Sequence, residues 1–396
     1  ATPQGTAARG GRAQGEICIL KNAWIFIEND VIAQVGTGTA PAAVGVQIIN
    51  AGGKLVTPGL VDAHTHLIFG GWRQNELALK LHGAGYLDIL AAGGGILSTM
   101  RATQSASEEQ LEAKASAALD EMLRFGTTTA EAKSGYGLST GEECKALRVI
   151  GKLQKHHVMD LAATFMGAHA VPEAYRDNRQ GYLELLCEEM LPAVREQGIA
   201  EFCDVFCEKG VFSAEESRRI LLTGRQHGLR PKIHADEIEA IGGSELAGEI
   251  GAVSAEHLIV CPPSGIASMA EGGTVACCLP ATSFYLGAAY APVQDMVQAG
   301  VPVAMATDFN PGSCPCLNMQ LVISLGCLRY RLTPEQALTA VTLNGAAAIC
   351  RADRIGSIEP GKQADILIWN AEDLDYICYR LGSNLVDTVI KKGNVV

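Results

Sequence analysis

Two patterns of apolar spacing alternate along this chain. Short apolar runs, too short for helices, recur in the middle of the sequence: LVTPGLVDAHTH, GTTTAEAKSGYG, DLAATFMGAHA, EFCDVFCEKG, RPKIHADE, AVSAEHLIV, TVACCLPAT and VPVAMATDFNPG. Longer segments with helical periodicity lie between them, and this alternation is the signature of a parallel βα array. Four helix starts are predicted from capping boxes: Ser107-x-x-Gln110, Thr140-x-x-Glu143, Ser213-x-x-Glu216 and Thr333-Pro-x-Gln336. Eight strands with intervening helices make a (β/α)8 barrel the economical arrangement. An open doubly wound sheet would need a glycine fingerprint after its first strand, and none is there. Both ends of the chain read differently, as short strands broken by Asn-Asp and Gly. The expected organisation is therefore a barrel over 57–352, with 1–56 and 353–396 forming a second, strand-rich unit.

Composition narrows the function classes. Hydrophobic residues make up 48% of the 396 positions and charged residues 19%, a core-building balance. Lys plus Arg is 31 against 43 Asp plus Glu, a net charge of −12 without a basic run. Nucleic acid and anionic membrane are thus poor partners. The longest weakly polar stretch, 272–293, is interrupted by Pro280 and Gly287, so no membrane span is expected. The first sixteen residues read as loop without an apolar signal core, and the missing initiator methionine reads as a trimmed start. The 13 cysteines are odd in number and scattered, which reads as reduced, buried thiols and a cytoplasmic setting.

Candidate chemistry comes from the histidines. The chain has only nine, and five of them (His64, His66, His169, His234 and His257) fall at the ends of four proposed strands. The C-terminal face of a barrel is where active-site groups collect. In an extended strand, His64 and His66 point to one side. His234 ends the fifth run and Asp308 the eighth. Each alone is commonplace, as a core histidine or a helix cap. Jointly they are three nitrogens and one carboxylate converging on a barrel mouth, a set suited to Zn2+ or iron (Fe2+/Fe3+) with an open position for water.

VTPGLVDAHTH, the late TDFNPG and the closing TPEQALTAVTLNGAAAI…GSIEPGKQADILIW closely resemble the amidohydrolase superfamily, over nearly the whole chain. The resemblance implies a TIM-like barrel of the metal-dependent hydrolase type, with a small β-sandwich built from both termini. HTHLIFGGWRQNE, GGGILST, EAKSGYG, FMGAHAVP, DVFCEKGVFS, KIHADE, SAEHL and TDFNPGSCP narrow it to the imidazolonepropionase family. That implies hydrolysis of 4-imidazolone-5-propanoate to N-formimidoyl-L-glutamate, the third step of histidine degradation, with a small anionic substrate and one metal per chain. Arg73 is then expected to pair with the propanoate tail. Tyr136, His169 and Tyr86 resemble residues around the ring, and Asn310, Gly312 and Ser313 residues of the tail loop. Glu237 is expected at the ring nitrogens as a proton donor. His257 is expected to stabilise the oxyanion, and the general base is one of Asp308, His257 and Glu237. Many relatives bridge two metals through a carboxylated lysine on strand four. Here that strand ends Glu208-Lys209, where Lys209 is adjacent to the position and Glu208 is the alternative bridge.

The nearest competing reading is another cyclic amide hydrolase or a nucleobase or amidine deaminase of the same superfamily. Arg73, Tyr136 and the NPGS loop favour a carboxylate-bearing substrate. A non-catalytic binding protein on this fold would be expected to lack part of the polar set. The resemblance also implies a homodimer, with the apolar segment 314–349 as the expected interface.

Overall fold

A computed structural model of the chain describes residues 1–41, 44–83 and 94–396. Its strands are β1 (Ala23–Glu28), β2 (Val31–Thr37), β3 (Val56–Pro58), β4 (Leu60–Asp62), β5 (Thr127–Lys133), β6 (Asp160–Ala168) and β7 (Phe202–Cys207). They continue as β8 (Arg230–Ala235), β9 (Ser254–His257), β10 (Val275–Cys278), β11 (Val303–Met305), β12 (Ile366–Trp369), β13 (Val386–Lys391) and β14 (Asn394–Val395). Strands β4 to β11 form one parallel sheet in sequence order. A parallel bridge between Thr65 and Phe309 brings its two edges together, with Asp308 N donating to His64 O at 3.1 Å and His66 N to Phe309 O at 2.9 Å. All eight expected strands are present, and the sheet closes into a barrel.

Asp62 reinforces that closure. Its carboxylate accepts from Thr307 N at 3.0 Å and from the Thr307 hydroxyl at 2.6 Å, all buried. The barrel strands are buried along both faces, as parallel strands under helices must be. Helix Glu108–Arg124 shows how the outer layer attaches, burying Leu111, Ala115, Leu119 and Met122 along one stripe.

Three of the four predicted capping boxes form, at Ser107, Ser213 and Thr333, each with both reciprocal hydrogen bonds. The fourth does not. Helix Thr140–His156 starts one residue earlier than expected, with Ser139 at its N-cap and no side-chain cap. Glu143 is drawn away because its carboxylate accepts three backbone N–H groups of the preceding loop.

Strands β3, β12, β13 and β14 form a small antiparallel sheet from both ends of the chain, and β1–β2 form a hairpin beside it. Ile32, Ile358, Ala364, Ile366 and Ile390 fill the core of this unit, with Ile25, Ile27, Val35 and Val56 against them. Lys391 and Lys392 tie it to the barrel through Asp160 at the start of β6, at 2.7 and 2.6 Å. Residues 1–16 are more structured than a loop reading suggests. Ala1 N donates to Val56 O, and the buried Gln14 side chain bonds both N and O of Val303.

The apolar segment 314–349 packs inward. Met319, Val322, Ile323, Leu325, Ala337, Leu338 and Val341 all lie in the main core. Its composition is therefore explained by the barrel itself and ceases to be an argument for an interface. All 13 cysteines are free thiols. Among the described residues no helix is long and apolar enough to cross a membrane.

Candidate active site

His64 and His66 follow β4, and their side chains meet His234 at the end of β8 and Asp308 beyond β11. Asp308 Oδ1 is 3.6 Å from His64 Nε2 and 3.5 Å from His66 Nε2. His66 Nε2 faces His234 Nε2 at 3.3 Å. Two overlapping donor groups result, His64–His66–His234 and His64–His257–Asp308, each with ligand atoms within 4.8 Å of one another. Both nitrogens of His64, Nδ1 of His66 and Oδ1 of Asp308 are buried with no hydrogen-bond partner among the described residues. Unpartnered buried polar atoms are costly in the absence of a ligand. Burial holds His64 and His66 well below the ordinary imidazole range. It also holds His234 at about 3, against the pull of Asp204. These rings are thus neutral near pH 7, with lone pairs available to a cation. The donor set fits a divalent ion.

Local backbone strain helps aim the groups. Strand alternation would send His257 to the same side as Ala255. Left-handed backbone at His257 (φ 70°) and Leu258 (φ 60°) ends the strand there, and the His257 ring lies 5.2 Å from that of His234. Asp308 is also left-handed, at φ 57°. Such conformations cost of order 1–3 kcal/mol each and are characteristic of functional sites. Thr282 donates to Asp308 Oδ2 at 2.7 Å, leaving Oδ1 toward the histidines.

The remaining expected residues surround this cluster. His257 Nε2 lies 3.6 Å from Glu237 Oε2. Burial, aided by Glu208, raises Glu237 to about 7, and burial raises Asp308 to about 6 against the pull of His257. The His169 ring stacks on His66 with centroids 4.8 Å apart, and Tyr136 lies 5.1 Å from His169. Arg73 Nε donates to Glu76 at 3.0 Å, and its guanidinium packs so close to Gly312 that a Cβ there would sit 2.2 Å from a nitrogen. Asn310 organises the last loop: its Oδ1 accepts from Gly312 N and Ser313 N, both at 2.8 Å, while its Nδ2 donates to Asp308 O at 2.7 Å. Tyr86 lies outside the described residues.

Neither strand-four candidate for a bridge joins the cluster. Glu208 accepts from the backbone N–H of Lys209, Ile238 and Glu239, and Lys209 reaches outward to Glu239. The Glu208 carboxylate is spent on loop backbone.

A family model described as the amidohydrolase family matches residues 55–396. The imidazolonepropionase of Alkaliphilus metalliredigens is 51% identical over 393 residues, covering 98% of this chain and 93% of that protein. That of Streptococcus gordonii is 50% identical over 390 residues, with the same coverage. The chain belongs to the imidazolonepropionase family of amidohydrolases. Solved structures share the fold at lower identity. An adenosine deaminase from Xanthomonas campestris with bound zinc has TM-score 0.70 at 21% identity, covering 95% of this chain and 88% of that one. A 5-methylcytosine deaminase from Klebsiella pneumoniae has TM-score 0.74 at 18% identity, covering 98% and 96%.

This member of the imidazolonepropionase family also holds a layer of charge below the donor cluster that sequence reading missed. Lys133 Nζ lies 2.7 Å from Asp204 and 2.8 Å from Glu131; Lys232 Nζ lies 3.1 Å from Glu131 and 3.3 Å from Glu256. All five groups are fully buried. Asp204 Oδ1 bonds His234 Nδ1 at 3.1 Å, which turns His234 Nε2 toward the cluster. Asp204, His234 and Glu256 also lie at metal-ligand spacing, but Lys133 and Lys232 already neutralise those carboxylates. The available signal was charge inside runs such as TTTAEAK and RPKIHA, where a doubly covered strand should be apolar.

Proposed function

We propose that this chain hydrolyses 4-imidazolone-5-propanoate to N-formimidoyl-L-glutamate, using one divalent cation, Zn2+ or Fe2+, held by His64, His66, His234 and Asp308. The observation that carries this reading is one barrel mouth with three neutral histidines and the Asp308 carboxylate beside a guanidinium. Asp308 and Gly312 share a loop, and Arg73 packs on Gly312. A cation bound to such a set lowers the pKa of a water toward about 7 and polarises a carbonyl oxygen.

The chain's own residues do the rest. Arg73 pairs with the propanoate carboxylate. Its charge offsets the repulsion expected between an anionic substrate and a chain of net charge −12. Tyr136 and His169 flank the ring, and the Asn310–Ser313 loop closes over the tail. Water adds to the ring carbonyl carbon. Its proton goes to Asp308 or His257, each of which offers one ligand atom to the cluster, and His257 steadies the oxyanion. The ring C–N bond then breaks. Glu237, near half-protonated at neutral pH, gives the departing nitrogen its proton. The carbonyl carbon leaves as the new carboxylate.

Incubation of metal-loaded protein with this substrate is expected to yield N-formimidoyl-L-glutamate without ammonia, read by mass and ammonia assay. Ammonia release would favour the deaminase reading. His257→Ala is expected to retain the metal and lose turnover by about 10²–10⁴-fold. Normal turnover in that variant removes His257 from the mechanism.

A further inference from the structure

Between β5 and helix Thr140–His156, the loop 134–138 carries Tyr136 and buries three backbone N–H groups. Left unpaired, each such donor costs ~1–3 kcal/mol. All three converge on one carboxylate. Glu143 Oε1 accepts from Gly137 N and Leu138 N, both at 2.8 Å, and Oε2 from Gly135 N at 3.0 Å. The Ser134 hydroxyl accepts from Met166 N at 3.0 Å. Glu143 is fully buried. The loop it gathers is strained, with Leu138 left-handed at φ 54° and Gly135 at φ 111°. Gly135 extends the chain of contacts to the site. Its carbonyl accepts from His169 Nδ1 at 2.9 Å, and a Cβ on it would lie 3.1 Å from that nitrogen and from Met166 O.

We propose that Glu143 is a positioning residue, which fixes the loop that places Tyr136 directly and His169 through the Gly135 carbonyl, and so sets substrate affinity. The proposal rests on the reading above that Tyr136 and His169 flank the substrate ring. Glu143 touches no reacting atom. Its role is to hold, at one point, a loop that otherwise has no regular hydrogen-bond ladder.

Glu143→Gln tests it by replacing one acceptor oxygen with an NH2 group that faces an N–H donor. Amide hydrogen exchange across 134–138 should accelerate about tenfold in this variant, while the barrel strands and the metal content stay unchanged. KM for 4-imidazolone-5-propanoate should rise about tenfold with kcat changed less than about threefold. Adding Glu143→Gln to Tyr136→Phe should raise KM by less than Glu143→Gln does in the unaltered protein, because only the path through His169 then remains. Should Glu143→Gln fail to fold, Gly135→Ala perturbs the same chain of contacts and should give the same KM signature. Unchanged exchange at 134–138, or a fall in kcat and metal content with KM unaltered, overturns the proposal. If the unaltered protein does not turn over this substrate, the functional reading fails, and the exchange measurement alone decides whether Glu143 fixes the loop.

Discussion

Asp204 lies outside the donor cluster, yet it determines which nitrogen of His234 faces that cluster. Its carboxylate binds His234 Nδ1 and is itself held by Lys133. Both partners draw its pKa well below the usual carboxylate range, against burial. Asp204→Asn is therefore expected to weaken metal binding by about 10–100-fold, measured by competition with a chromogenic chelator. Unchanged affinity would show that His234 is oriented without it. The candidate donor set itself was legible in the sequence, because histidine is rare here and its positions coincide with strand ends. Asp204, Lys133 and Glu143 were not. A charge inside a buried strand has meaning only once the strands that supply its partners are known, and those partners lie far apart in the chain.

Strand ends and helix starts explain why the elements were easier to foresee than their details. Ser213 caps its helix with reciprocal bonds to Glu216, as the spacing predicts. Thr140 and Glu143 show the same spacing, but the glutamate satisfies an adjacent loop with three buried donors. A local motif lost to a more demanding local need. Ser213→Ala should accordingly cost ~1 kcal/mol in a denaturant titration, and Ser139→Ala, whose side chain caps nothing, a few tenths at most. Equal losses would contradict the assignment of the two caps. His257 illustrates the other limit. Period-two alternation is legible in sequence, while the left-handed turn that redirects His257 is not.

At the scale of the whole molecule, the terminal sheet is fastened to the barrel by charge as well as by packing. Burial alone would raise the pKa of Asp160, but Lys391 and Lys392 overcome that and hold it at about 2. A depressed folded-state value contributes stability above the unfolded value of about 4, lost as pH falls toward 2. Discounted for partial exposure, the contribution is about 1 kcal/mol. Asp160→Asn should lower stability by about that much at pH 7 and make little difference near pH 2, read by denaturant midpoints at both. An equal loss at both pH values would contradict this electrostatic fastening. Hydrolysis of 4-imidazolone-5-propanoate is proposed to need the barrel, its closing loop and a metal together. The most direct test follows the imidazolone absorbance after adding protein to 4-imidazolone-5-propanoate, with and without prior chelation. The absorbance should fall with metal-loaded protein, hold steady after chelation, and fall again when about one equivalent of Zn2+ or Fe2+ per chain is restored. A steady absorbance with metal-loaded protein, or an undiminished fall after the metal is removed, would contradict the account.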